Sequence, residues 1–286
     1  MNKILEVKNL CKRYENFSLK NVSFFAEEGK ITGFIGRNGA GKTTTLKSIL
    51  NLADIDFGEI KYFGLDFKTH EQEIKQQIGF AFGAVHYYNR KRIKDIANVT
   101  KNFYPDWDNN EYKKYLKKFN LDENKKIIEL SEGMKVKLSI AFALSHKAKL
   151  LILDEPTSGL DPVSRNEILE IFLELVKRGI SIIFSSHITS DLDKCADNII
   201  YIRNGEIFAC ENTENFINSY RIINADKPLN NMQEKAVIGK CNSKAGKTVL
   251  IKNKDSKLFE NFSAEKPDLQ EIMVHIEQQN EKDEKQ

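Results

Sequence analysis

Gly36, Gly41, Lys42 and Thr43 satisfy the pattern Gly-x4-Gly-Lys-[Ser/Thr], and the chemistry those residue types serve is phosphate binding. Glycines let backbone N–H groups close around phosphate oxygens, and a helix beginning at Lys42 adds the partial positive charge of its N-terminus. Lys42 reaches the outer phosphates as a point charge. The Thr43 hydroxyl suits Mg²⁺, a hard cation that takes oxygen ligands. A second constellation, Asp154-Glu155, closes the apolar run Leu150–Leu153. Paired acids are common on surfaces but not at the end of a buried apolar run. Asp154 can hold the Mg²⁺ shell, directly or through water. Glu155 leaves the strand in another direction and can orient or deprotonate a water near a terminal phosphate.

These residues need rigid supports, and the pattern supplies them. Ile31–Ile35 reads as a buried strand, followed by the glycine turn and a helix burying Leu46, Ile49 and Leu50. Leu150–Leu153 reads as another strand. Asp161 and Pro162 then open a helix with Ile168, Ile171, Phe172 and Leu175 on one face, and Gly179 ends it. Ile180–Phe184 is the next strand and delivers Ser185-Ser186-His187. Strand, helix, strand at this spacing is a right-handed parallel crossover.

Upstream, residues 3–8 and 18–25 read as strands around a polar loop from Cys11 to Asn16 that carries Tyr14. Asn204-Gly205 marks a two-residue hairpin. Residues 70–145 are mostly helical: Pro105 stops one helix, and Asp108 caps another with Tyr112, Tyr115, Leu116 and Phe119 on its inner face. Ser131 reads as the N-cap of a helix with Met134, Leu138, Ala141 and Leu144 inward. Ala236–Gly239 and Thr248–Lys252 suggest strands, and a last amphipathic helix after Pro267 carries Leu269, Ile272, Met273 and Ile276. Ala245-Gly246-Lys247-Thr248 imitates a second phosphate loop, but Cys241 stands where its first glycine belongs and no buried strand leads into it, so it reads as a hairpin turn. The expected domains are 1–214, with a helical subdomain at about 84–146, and a small extension 215–286 whose polar tail from Gln278 is disordered.

With 286 residues, 30% charged and 41% hydrophobic, the chain has room for a large domain and a small appendage. A net charge of +3 gives no nucleic-acid footprint, so no nucleic-acid partner is expected. No apolar run approaches the ~18 residues of a spanning helix, and charges interrupt the N-terminal segment, so the chain is expected neither to span a membrane nor to be secreted. The four cysteines are scattered, with no Cys-x-x-Cys pair, and read as reduced thiols of a cytosolic protein.

Taken in order, five motifs resemble the ATP-binding subunit of an ABC transporter over residues 1–215: the Walker A loop Gly36–Thr44, the signature-like Leu130-Ser-Glu-Gly-Met134, the Walker B strand with Asp154-Glu155, the D-loop Ser158-Gly-Leu-Asp161, and the switch histidine His187. The resemblance implies an α/β P-loop NTPase cassette with an antiparallel β subdomain, a helical insertion and a small α+β C-terminal extension. It implies that Tyr14 stacks on adenine, and that Gly36, Arg37, Asn38, Gly39, Ala40, Gly41, Lys42, Thr43 and Thr44 bind the phosphates. It places Mg²⁺ on Thr43 and Asp154, and makes Glu155, His187 and Lys42 the catalytic groups. Ser131 and Gly133 would cover the ATP of an opposing cassette, with Asp161 at that interface, so two cassettes sandwich two ATP molecules. The partners implied are a second cassette and a polytopic membrane permease, with this chain peripheral on the cytoplasmic face of the membrane.

Two positions depart from the family pattern. The signature usually reads Leu-Ser-Gly-Gly-Gln, and here Glu132 and Met134 stand in it. The glutamine expected at the end of the strand beginning Ile78-Gly79 falls on Gly83, and Gln76 and Gln77 come before that strand, so the relay to the membrane subunit is either missing or carried by another residue of Ala84–Arg90, such as His86 or Asn89. Phe103–Asp108, Leu144–Lys147, Ser185–Ser190 and Lys266–Val274 are similar to small bacterial exporters whose genes accompany a GntR-type repressor, some of which export cell-envelope-active or amphipathic peptides. The competing expectation is a soluble, non-transport cassette of translation or repair. Those acting on ribosomes usually pair two cassettes in one chain, and repair types carry coiled-coil or zinc insertions. A GTPase or kinase sharing only the phosphate loop is disfavoured because no Asn-Lys-x-Asp motif is present.

Overall fold

The computed structural model describes residues 2–82, 88–243 and 246–283, arranged as two compact units, Met1–Cys210 and Glu211–Gln286. The first unit opens with β1 (Lys3–Arg13), β2 (Ser18–Glu27), β3 (Ile31–Ile35) and α1 (Lys42–Ile49). It continues with β4 (Phe57–Tyr62), β5 (Leu65–Asp66), α2 (Glu71–Gln76) and β6 (Ile78–Phe82). Then come α3 (Ile93–Thr100), α4 (Asn109–Lys118), α5 (Glu132–Ser145), β7 (Leu150–Asp154), α6 (Pro162–Lys177), β8 (Ser181–Ser186), α7 (Thr189–Cys195), β9 (Asn198–Arg203) and β10 (Glu206–Asn212).

β10, β9, β3, β8, β7 and β6 lie side by side in that order. Every residue of β3, β7 and β8 is buried, as strands covered on both faces must be. Their continuous apolar runs follow from that double burial, each fully buried Leu or Ile contributing roughly 1.5–3 kcal/mol. The parallel register pairs Ile35 with Ser186 and Asp154 with Ser185. The ends of β3, β7 and β8 therefore open side by side, the place where parallel sheets hold ligands. Helices seat closely on this sheet where glycine removes a side chain: a Cβ on Gly33 would lie 2.2 Å from Leu192 of α7, and one on Gly79 2.2 Å from Ala143 of α5.

A second, antiparallel sheet has the order β2-β1-β4-β5. β1 runs on to Arg13, past the loop start expected at Cys11, because Lys12 and Arg13 still find partners in Leu19 and Ser18. The loop shrinks to a tight turn closed by the Tyr14 N–H on the Phe17 carbonyl at 2.7 Å. Asn204 and Gly205, both with positive φ, turn β9 into β10. Gly205 is required twice over, since a Cβ there would lie 1.9 Å from the Ser18 carbonyl.

Between β6 and β7 the chain is helical. Asp108 accepts from the Asn110 and Glu111 amides and so starts α4, which turns Tyr112, Tyr115 and Leu116 inward. Trp107 is half-buried and packs on Tyr112 and Phe142, at 5.6 and 5.9 Å between ring centroids.

The second unit holds α8 (Thr213–Asn218), β11 (Tyr220–Asn224), α9 (Asn231–Ala236), β12 (Val237–Ser243), β13 (Gly246–Lys252), β14 (Ala264–Glu265) and α10 (Leu269–Asp283). Its sheet has the order β12-β13-β11-β14. Gly246, Lys247 and Thr248 lie in β13, hydrogen-bonded to β12, so they form no phosphate loop. α10 crosses β12 at Gly239, where a Cβ would lie 2.1 Å from the His275 carbonyl. The helix buries Leu269, Ile272 and Ile276 and continues to Asp283.

Candidate active site

The loop from β3 to α1 is shaped by glycines. Gly36 has φ +156 and a Cβ there would meet the Ile202 carbonyl at 2.4 Å; Gly41 has φ +113 and faces Phe17 and Leu19, each at 2.8 Å from such a Cβ. No side chain caps α1, so the first amides of the helix are the donors this turn presents. Lys42 is buried, and its Nζ donates to the carbonyls of Gly36 at 2.8 Å and Arg37 at 3.3 Å.

The same Nζ lies 3.4 Å from Glu155 Oε1. Glu155 has φ +51, a left-handed conformation rare for a residue with a side chain, and this separates its direction from that of Asp154. Its other oxygen, Oε2, accepts from His187, through Nδ1 at 2.7 Å and the backbone N–H at 3.3 Å. A carboxylate only accepts, so the proton of this bond sits on Nδ1. One layer deeper, Thr43 Oγ1 donates to Asp154 Oδ2 at 2.7 Å, and Ser185 Oγ donates to Asp154 Oδ1 at 2.5 Å. Ser185 Oγ also accepts the Glu155 N–H at 2.9 Å. A hydroxyl and a carboxylate oxygen converging at this distance are the donor set a hard divalent cation uses, and they fit Mg²⁺.

Above these groups is a cavity of about 640 Å³, a size suited to a nucleotide. Arg37, Asn38, Gly39 and Thr44 form one wall, Glu155, Ser158 and His187 another, and Asn16 and Phe17 close one side. A neighbouring recess of about 520 Å³ holds Tyr14 and shares Asn16, Phe17 and Gly39 with the first.

The comparisons decide what carries this geometry. A family model described as ABC transporter matches residues 19–158. The chain is 32% identical over 206 residues to the ABC transporter ATP-binding protein YtrB of Bacillus subtilis (strain 168), covering 71% of this chain and 70% of that protein. It is 35% identical over 211 residues to the bacitracin transport ATP-binding protein BcrA of Bacillus licheniformis, covering 72% and 69%. The chain belongs to the ABC transporter ATP-binding proteins. The fold agrees: a solved structure of an ATP-binding subunit of an ABC transporter superposes with a TM-score of 0.67 at 27% identity, covering 74% of this chain and 91% of that one.

As an ABC cassette the protein is an ATPase. Of the expected site residues, Gly36, Arg37, Asn38, Gly39, Gly41, Lys42, Thr43, Thr44, Asp154, Glu155 and His187 come together in or directly beneath one cavity. Ala40 braces the loop instead: it is buried, and its carbonyl takes the Gly205 N–H at 3.1 Å. Tyr14 is 46% exposed, with Lys12 Nζ 5.4 Å from its ring centroid.

Ser131, Gly133 and Asp161 do not line this cavity. Ser131 caps α5 by accepting the Met134 N–H at 3.2 Å, and Glu132 pairs with Lys135 at 2.6 Å, which offsets the acid in the cassette's signature. Asp161 caps α6 through the Val163 and Ser164 amides, and the Ser164 hydroxyl and amide hold its carboxyl below the usual range. Gly83 and His86 lie outside the described residues; the Asn89 carbonyl accepts the Ile128 N–H at 3.0 Å, and Gln76 donates to the Phe103 carbonyl at 2.8 Å. Sequence reasoning gave no site role to Ser185, Asn16, Phe17 or Ser158, although Ser158 opens the D-loop motif. The signal for Ser185 was a hydroxyl closing an apolar strand next to the acid-bearing one.

Proposed function

We propose that this cassette is the ATP-hydrolysing subunit of a bacterial exporter, and that its cargo belongs to the antimicrobial or amphipathic peptides or other hydrophobic compounds. The observation that carries the cargo class is the likeness to a bacitracin transport protein over most of both chains. Among the described residues no helix is long and apolar enough to cross a membrane. In this reading separate polytopic subunits form the path, and the cassette binds their cytoplasmic side.

ATP occupies the large cavity with its phosphates on the amides of residues 36–44 and its adenine against Tyr14. Lys42, now bonded to two loop carbonyls and beside Glu155, turns to the outer phosphates. Thr43 and Asp154 hold Mg²⁺, which supplies charge neutralisation to the phosphates. Glu155 takes a proton from the attacking water, and His187 fixes the carboxylate that does so. A second cassette brings its own Ser131 and Gly133 over the terminal phosphate through the N-terminus of α5. The copy here contributes the same groups in return, and Asp161 lies at the interface.

The test of hydrolysis is Glu155→Gln in the purified chain: ATP binding persists and turnover falls by about 100-fold or more. Full residual turnover would sink the role of Glu155. The test of the exporter reading is affinity purification from membranes, with a polytopic protein expected as the partner and ribosomes as the outcome favouring a non-transport cassette.

A further inference from the structure

Asp191 is 1% exposed, and neither of its carboxylate oxygens has a hydrogen-bond partner. It belongs to α7, four residues after His187. Arg165 Nε lies 4.0 Å from Asp191 Oδ2 and is itself without a hydrogen bond. Arg165 belongs to α6, and its Nη2 donates to the Leu160 carbonyl at 3.4 Å, within the Ser158–Asp161 loop. Leu160 in turn faces Gly133: a Cβ built on Gly133 would lie 3.8 Å from Leu160 and 3.7 Å from Ser164.

A charge-assisted bond between a guanidinium and a carboxylate forms at about 2.7–2.9 Å, and a buried carboxylate without such bonds is costly. The pair therefore stands roughly 1 Å open, with a strong incentive to close. A small shift of α6 toward α7, or of the Arg165 side chain, closes it. Closure ties the two segments together, because Arg165 also holds Leu160 and His187 leads directly into α7.

We propose that Arg165 is a positioning residue for ATP hydrolysis: by pairing with Asp191 it sets His187, and through it Glu155, in register with the loop Ser158–Asp161 and the Gly133 turn that packs on it. This rests on the reading of Glu155 and His187 as the hydrolytic pair. Arg165 does not touch the nucleotide cavity, so its loss acts on turnover and leaves binding alone.

The experiment is steady-state ATP hydrolysis and equilibrium ATP binding by the full chain carrying Arg165→Met, Arg165→Lys, Asp191→Asn, and the double substitution Arg165→Met with Asp191→Leu. Arg165→Met alone strands a buried charge and threatens the fold, so the double variant, which removes both charges, decides the matter. The expected result is a kcat lowered by about tenfold in the double variant, with KM, ATP affinity and melting temperature close to the parent, and partial recovery of kcat in Arg165→Lys over Arg165→Met. A kcat within about twofold of the parent overturns the proposal, as does a fall in ATP affinity that accounts for the loss. Failure of the double variant to fold also overturns it, by assigning the pair to stability alone. Full turnover in Glu155→Gln would instead sink the underlying reading, and the Arg165 variants do not affect that outcome.

Discussion

His187 Nδ1 and Glu155 Oε2 are 2.7 Å apart, while the other oxygen of the same carboxylate lies 3.4 Å from Lys42 Nζ. One carboxylate is thus held between the end of β8 and the start of α1. Lys42 is tied to the loop by two further bonds and His187 is 44% exposed, so the histidine is the partner with freedom to move. His187→Ala removes the 2.7 Å side-chain bond to Glu155 and leaves it the backbone N–H of residue 187 at 3.3 Å and Lys42, which draws it toward the loop. We expect kcat to fall roughly 10- to 100-fold while ATP affinity changes by less than about threefold. Equal losses in both quantities would make His187 a binding residue instead.

Lys42→Ala removes the one buried ammonium beneath the cavity and its bond to the Gly36 carbonyl. Charge-assisted bonds to phosphate are worth about 1.5–3 kcal/mol, so the ATP dissociation constant is expected to rise roughly 10- to 150-fold. Titration calorimetry of the purified variant reads this directly, and an unchanged affinity would count against the site.

Ser185 is fully buried and serves both acids, donating to Asp154 and accepting from the Glu155 amide. Ser185→Ala orphans the Glu155 N–H and one lone pair of a buried carboxylate, at a cost of about 1–3 kcal/mol. We expect a lower urea midpoint together with reduced kcat, since Glu155 loses the bond that fixes its left-handed backbone. A variant with parental stability and parental kcat would show that the hydroxyl is dispensable.

The phosphate loop, the acid-ended strand and the helix starts at Asp108, Ser131 and Asp161 were legible because each is written in local chemistry: glycine where φ is positive, a capping oxygen where amides lack partners. The parallel crossover was legible because β7 and β8 are built around the apolar runs Leu150–Leu153 and Ile182–Phe184. The roles of Ser185, Arg165 and Phe17 were not, since each depends on a neighbour brought close by register or packing and not by sequence spacing. The extension of β1 to Arg13 was hidden for a related reason. Its charged residues look like loop, but cross-strand partners in β2 keep the ladder going. In the second unit, α10 outlasts its apolar positions because a helix already anchored by Leu269 and Ile272 propagates cheaply through charged residues.

His146 closes α5 and is 4% exposed; its ring stacks on Tyr104 at 3.8 Å between centroids, and its Nδ1 lies 3.1 Å from the Gln76 carbonyl. Burial depresses its pKa from 6.5 to about 4, against the raising effect of the Gln76 carbonyl. The folded state therefore keeps this ring neutral at pH values where the unfolded chain protonates it. Between the two pKa values the unfolded state binds more protons, so stability falls as pH drops from about 6.5 toward 4. At one pKa unit per 1.36 kcal/mol, this group alone removes roughly 2 kcal/mol between neutral pH and about pH 5. Urea unfolding at pH 7 and 5 is expected to show that loss in the parent and a smaller one in His146→Gln, which cannot take up the proton. The glutamine variant is expected to be less stable than the parent at pH 7, because it gives up the ring stack on Tyr104, so the informative quantity is the difference between the two pH values. An equal difference in both proteins would remove His146 as its source.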